Sequence, residues 1–446
     1  MRAPAAFVAL ALLAGCGPGR LVRHGQVNDD ALALVRRTLP VVRELAFTAP
    51  VPVAVLDPAA ISATLVREID DSYAPGEFEH MQAVYARLGL LPAGTPLRPA
   101  LQRLYEEEGA GFYDPRRKEL VVASRALRAG GFWIGLLGGL TGRDFVGEFL
   151  VAHELTHALQ DQHYGIPSDP EPLTDAHGDA LLARHALLEG DATLTGFAYT
   201  RGGELDRATI GWIEAQLRGV AGELAARYPD VPEVVRQSLA FQYDAGTAFV
   251  GWALADGGWA AVDRVHTDPP ASTEQVLHPA RYFGVRDVPV PVTVVGTEGL
   301  EAAGWTRILD DTIGELQIRV LAARVLGRER GAQVADGWGG DRVRALERGG
   351  DLVLVWMTAW DSPAEAAEFA DALPKLLPAA RSERRGERVL LLLGPASGVD
   401  LDALEARAWG VSREFPGRET RRDGSARRAP RSPRPPPRAS AGGPAR

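Results

Sequence analysis

The run His153-Glu154-Leu155-Thr156-His157 constrains this chain more than any other feature of its sequence. In an α-helix, residues four apart point the same way to within roughly 40°. A helix through this run therefore aims two imidazoles at one point in space. The Glu154 carboxyl sits about 100° around the axis, close enough to reach whatever is held there. Val146, Phe149, Leu150, His153 and His157 fall on one stripe, and its apolar members turn it toward the interior. A single inward histidine is most often a satisfied core residue. Two of them with a glutamate between make a metal-binding pattern.

His153, Glu154 and His157 resemble the motif of the zincin metallopeptidases. The resemblance implies one catalytic Zn2+ held by His153 and His157, a zinc-bound water, and Glu154 as its general base for hydrolysis of a peptide or protein substrate. The chemistry is coherent, since zinc lowers the pKa of water toward about 7 and a carboxylate can take its proton and pass it to the leaving amine.

Zinc needs a third protein ligand, and two residues are placed for it. Glu189 lies on the apolar face of a second expected helix, where a carboxylate needs a compensating charge. A glutamate from a second helix resembles the gluzincins. Thermolysin-like enzymes carry an Asp four residues after that glutamate. Thr193 stands there in this chain, so Asp191, His185 and Thr193 are all candidates to support the ligands. The other reading is His163, at the spacing of the metzincin third histidine. Metzincins have a glycine where this chain has Gln160, and without it the helix continues and turns His163 about 240° from His157. The Met-turn is also missing, because Met357 is the only methionine after the motif. Glu189 is therefore favoured.

Zincins commonly bind substrate along a sheet edge, and Gly111–Val122 reads as a hairpin placed to supply that edge or a plain structural one. In 267–283, Ser272 or Thr273 caps a short helix that Pro279 ends. His278 either steadies the oxyanion, as a His or Tyr does in thermolysin-like enzymes, or belongs to a helix that merely packs beneath the site. Tyr243 is a weaker candidate for the same role. Trp338 opens a hairpin and reads as a packed turn residue.

The sole cysteine excludes an internal disulfide. It ends the run Leu13-Ala14-Gly15-Cys16 after an apolar leader too short to span a bilayer. That run resembles the lipobox of bacterial lipoproteins, which implies lipidation of Cys16 and a membrane-anchored protein of the cell envelope, outside the cytoplasm. With the run 267–283, the motif also resembles a group of poorly characterised bacterial lipoprotein metallopeptidases.

The net charge of -9 includes a tail, 413–446, with ten arginines against Glu414, Glu419 and Asp423, so the body is more acidic still. An acidic body excludes nucleic acid as the main partner. Periodicity gives an α+β chain in four parts. These are a signal peptide (1–15), a mostly helical zincin-like unit with a small sheet (16–285), a small α+β domain (286–412) and a disordered Arg/Pro-rich tail (413–446). The rival reading keeps the fold and the zinc without catalysis, as an interaction lipoprotein. The presence of Glu154 counts against it, since a binder needs no base.

Overall fold

The computed structural model describes residues 22–23, 26–108, 111–123, 145–167, 172–395 and 398–410. Cys16 and the leader, the glycine-rich stretch 130–140 and the tail 413–446 lie outside the described residues. Among the described residues no helix is long and apolar enough to cross a membrane.

The chain is α+β. After a short pairing of β1 (Val22–Arg23) with β2 (Gln26–Val27), helix α1 runs over Asp29–Arg43. The Asn28 side chain caps it by accepting from Ala31 N–H at 3.3 Å, and Asp29 and Asp30 suit the positive end of the helix dipole. Pro40 suggests a break in the sequence, yet the helix continues through it to Arg43. Proline removes one backbone hydrogen bond. The extra turn carries Arg43 into a buried ion pair with Asp191 at 2.8 Å.

Strand β3 (Val53–Leu56) is followed by α2 (Pro58–Asp71), α3 (Glu77–Arg87) and α4 (Leu97–Glu108), then by the hairpin β4 (Gly111–Asp114) and β5 (Glu119–Ala123). These strands form a sheet in the order β3-β5-β4. β3 is parallel to β5 and β4 antiparallel to it, so β4 is an edge. The helices that follow are α5 (Phe145–Tyr164), α6 (Gly178–Arg201), α7 (Arg207–Leu217), α8 (Val220–Arg227), α9 (Glu233–Thr267), α10 (Thr273–Leu277) and α11 (Ala280–Phe283).

Helix α6 crosses α9 at Gly190 and Gly246. A Cβ on Gly190 would lie 2.2 Å from the Gly246 carbonyl oxygen, and one on Gly246 would lie 2.2 Å from that of Ala186. Only glycine permits this backbone-to-backbone approach. Beside it, the buried Phe149 ring of α5 packs against Gly196 and meets Phe197 edge-on at 5.0 Å.

The remainder is α12 (Glu298–Ala302), β6 (Thr306–Asp311), α13 (Gly314–Leu326), α14 (Arg328–Ala335), β7 (Trp338–Arg348), β8 (Asp351–Trp360), α15 (Pro363–Leu376), β9 (Arg381–Arg385), β10 (Arg388–Leu393) and α16 (Leu401–Gly410). Its five strands pair antiparallel in the order β6-β7-β8-β10-β9. Trp338 heads β7 fully buried and donates its indole N–H to Asp341 Oδ2 at 2.8 Å. The β-branched run Val292–Val295, which by its composition suggests a strand, does not form one. Pro289 and Pro291 remove two donors, and Val290 N–H to Gly339 O, 2.6 Å, is the ladder-like contact there.

The division at residue 285 does not separate two cores. Phe78, Val84, Leu88, Leu91, Leu97 and Val234 share one cluster with Trp338, Trp356 and Phe369 of the C-terminal sheet. Apolar residues of α3 and α4 face forward in the chain, and periodicity cannot reveal a partner 250 residues away.

Candidate metal centre

Two helices bring three ligand groups together. Within α5, His153 and His157 lie one turn apart, and their Nε2 atoms are 3.2 Å from each other. Glu189 reaches in from α6, with Oε2 3.1 Å from His153 Nε2 and Oε1 3.6 Å from His157 Nε2. Donors bound at about 2.0–2.1 Å around a tetrahedral zinc stand about 3.3 Å apart. The three residues thus have the donor types and the spacing of such a site, and they form one of the clusters able to hold a metal among the described residues.

The electrostatics favour a cation. Burial alone would lower the His157 pKa, but the Glu189 carboxylate, then Glu154 and the Gln160 contact, push it up to about 9. Burial works against the charge of Glu189 too. The imidazoles of His157 and His153 outweigh it and hold that carboxyl well below the usual range.

Glu154 lies beside these groups. Its Oε2 accepts the Tyr113 backbone N–H at 3.0 Å, which ties the carboxylate to edge strand β4. Burial raises its pKa, the two imidazoles oppose the rise, and Glu189 adds to it. Tyr113 is anchored in turn: its hydroxyl donates to Asp161 Oδ2 at 2.7 Å, and Lys118 Nζ reaches the same oxygen at 2.7 Å.

Behind His153, His157 and Glu189 lies a buried polar network. His157 Nδ1 is 2.8 Å from Gln160 Oε1. Gln160 Nε2 donates to Leu188 O and to Asp191 Oδ2, each at 3.0 Å. Asp191 also accepts from Arg43 Nε at 2.8 Å and Thr195 Oγ1 at 3.2 Å, and its Oδ2 lies 2.8 Å from His266 Nε2. Burial opposes its charge, but Arg43 and then His266 hold it well below the usual carboxylate range. The α9 backbone breaks at Gly257 and Gly258, the latter at φ +64°, before the turn that carries His266. Tyr164 stacks on that ring at 4.5 Å.

Asp191 does not touch His153, His157 or Glu189 in these contacts; it meets Gln160, whose other end faces His157 Nδ1. His185 lies one turn before Glu189. Burial depresses its pKa while Glu189 opposes the shift. Thr193 is fully buried, and among the described residues its hydroxyl has no hydrogen-bond partner.

His163 is turned away, with Nε2 2.7 Å from Ala46 O near the surface. The expectation for His278 is corrected. Ser272 does cap α10, accepting from Gln275 N–H at 3.3 Å. His278, at the far end of that helix, meets Glu315 Oε1 of α13 at 2.9 Å rather than the His153 cluster. Its imidazole is thus engaged at the junction with the C-terminal sheet. Tyr243 of α9 lies nearer, its ring centroid 6.4 Å from that of His153.

Arg43, Gln160 and His266 were not anticipated. In the sequence Gln160 draws notice only as the residue replacing a glycine, although it stands three after His157 on the same helical face. Arg43 shares the buried face of α1 with Leu32, Val35 and Leu39. His266 gives no local signal, because a kink and 75 residues separate it from Asp191.

Fold and site together define an α+β protein with a histidine- and carboxylate-lined centre between two helices. The family profile of a domain of unknown function (DUF8575) matches residues 304–403, which cover the C-terminal sheet and not this centre. A crystal structure from Chloroflexus aurantiacus, described as "a putative hydrolase with a novel fold", is similar over 57% of this chain and 86% of that one, at 19% identity and a TM-score of 0.34. No curated protein matches the sequence.

Proposed function

We propose that this protein is a zinc-dependent peptidase of gluzincin type, tethered to a membrane through a lipid on Cys16. One observation carries the catalytic reading. Two imidazoles and a carboxylate from separate helices converge at 3.1–3.6 Å, with a further carboxylate, Glu154, beside them. His153, His157 and Glu189 would hold the ion, which when bound supplies a Lewis acid that acidifies water and polarises a carbonyl.

The remaining work belongs to the chain. Burial keeps the Glu154 carboxyl poised above an ordinary glutamate, so it can take a proton from the attacking water and return it to the departing nitrogen. The Tyr113 N–H fixes one of its oxygens. β4 is an end strand of its sheet, the kind of position at which an extended peptide adds alongside, next to the same carboxylate. Envelope localisation rests on the lipobox-like run ending at Cys16.

Zinc content by elemental analysis and hydrolysis of casein and a broad peptide panel test the reading. Wild type and Glu154→Gln should both hold one zinc, and turnover should fall by about 10²–10⁴-fold in the variant. Equal turnover would remove Glu154 from the chemistry. Zinc without turnover in either would favour the non-catalytic zinc-binding lipoprotein. Cys16→Ala should move the chain from the membrane fraction to the soluble one.

A further inference from the structure

We infer that Gln160 is a positioning residue that fixes which nitrogen of His157 faces the metal centre. The inference rests on reading His157 as a ligand and adds a proton assignment to it. It begins at Asp191, a buried carboxylate held charged by Arg43 and His266. An ionised carboxylate only accepts hydrogen bonds, as does the Leu188 carbonyl beside it. Both lie 3.0 Å from the same end of the Gln160 amide. That end must be the NH2. A flipped amide would set its oxygen against two acceptors in a site with no exposure to solvent, leaving three buried oxygens without a proton between them.

The other end of the amide is then an oxygen, 2.8 Å from His157 Nδ1. An oxygen acceptor requires an N–H opposite it, so His157 carries its proton on Nδ1. The Nε2 lone pair is left to face His153 and Glu189. A charge fixed on one helix thus sets, through one amide, the tautomer of a ligand on another.

The chemistry of the intermediary matters as well. Ligating histidines are often backed by a carboxylate, which adds negative charge and can draw the imidazole proton toward itself. An amide does neither. His157 remains a neutral ligand, and the charge of Asp191 is held one residue further from the ion.

Long-range proton–nitrogen NMR of the full-length, zinc-loaded protein reads the assignment directly. His157 should show a proton on Nδ1 and none on Nε2, and the reverse pattern would overturn the inference. The zinc-free protein at alkaline pH, with the ring neutral, gives the same reading without metal and without reference to peptidase activity. Gln160→Met keeps the volume and removes the amide. Its zinc affinity, measured by chelator competition, should fall about 10–100-fold. Undiminished affinity in a folded Gln160→Met protein would reduce Gln160 to a packing residue and overturn the inference. If that variant fails to fold by circular dichroism, the wild-type spectra still decide.

Discussion

Asp191 has no exposure to solvent, and Arg43, Gln160, Thr195 and His266 all converge on its two oxygens. Removing one partner of a buried ion pair costs about 3–5 kcal/mol, because the other charge is left stranded. The network therefore acts on the fold as much as on the ligands. Ligand identity has a cleaner test. Glu189→Ala should lose zinc by elemental analysis, while His163→Ala, whose ring faces Ala46 O, should keep it. The opposite pair of results would move the third ligand to His163. At this scale the sequence was legible wherever helical spacing governs. His153, Glu154 and His157 lie on one helix, and Glu189 betrays itself as a charge on an apolar face. His278 was misplaced because its capped helix is local but its direction is not. That direction is set by Glu315, 37 residues on.

The element that holds Glu189 is itself held from outside. At the start of α6, Gly178 N–H donates to Asp311 Oδ1 at 2.8 Å, and Ala176 N–H donates to Asp310 O at 2.9 Å. Both acceptors end strand β6. One residue on, Asp179 accepts Thr273 N–H at 3.1 Å and so ties α6 to α10. Burial pushes the Asp311 carboxyl up to about 6, against the two backbone N–H groups that favour its charge. Its folded pKa is thus above the unfolded value of about 3.9, and folding takes up a proton between those limits. The contribution is full below about pH 4 and is lost as pH rises through about 6. Urea unfolding of wild type against Asp311→Asn should show this. The difference in stability between them should change by about 2 kcal/mol from pH 4 to pH 7, with wild type losing ground. A constant difference would mean that Asp311 does not titrate in that window. The helix of the motif, the second helix carrying Glu189 and the hairpin Gly111–Val122 follow from periodicity and turn residues. The run through Pro40 and the missing strand at Val292–Val295 do not, because tertiary contacts decide them.

Over the whole molecule, the sequence marks a change of pattern near residue 286 but not a boundary between cores. Phe78, Val84, Leu88 and Leu97 are buried against the sheet of 304–403, the part matched by the domain profile. A chain cut near residue 285 would expose that apolar surface and remove Asp310 and Asp311 from α6. It should therefore be insoluble or molten by near-ultraviolet circular dichroism and should not hold zinc. A soluble, cooperatively folding fragment with full zinc affinity would show that the N-terminal unit stands alone.

The capping of α6 by Asp311 also sets an order of events in the life of each molecule. Synthesis runs from the N-terminus, so both histidines and Glu189 exist well before the strand that secures the Glu189 helix. Arg43 waits for Asp191, Asp191 for His266, and the helix start for β6. A centre assembled this way gains its last outside support only once β6 has been made.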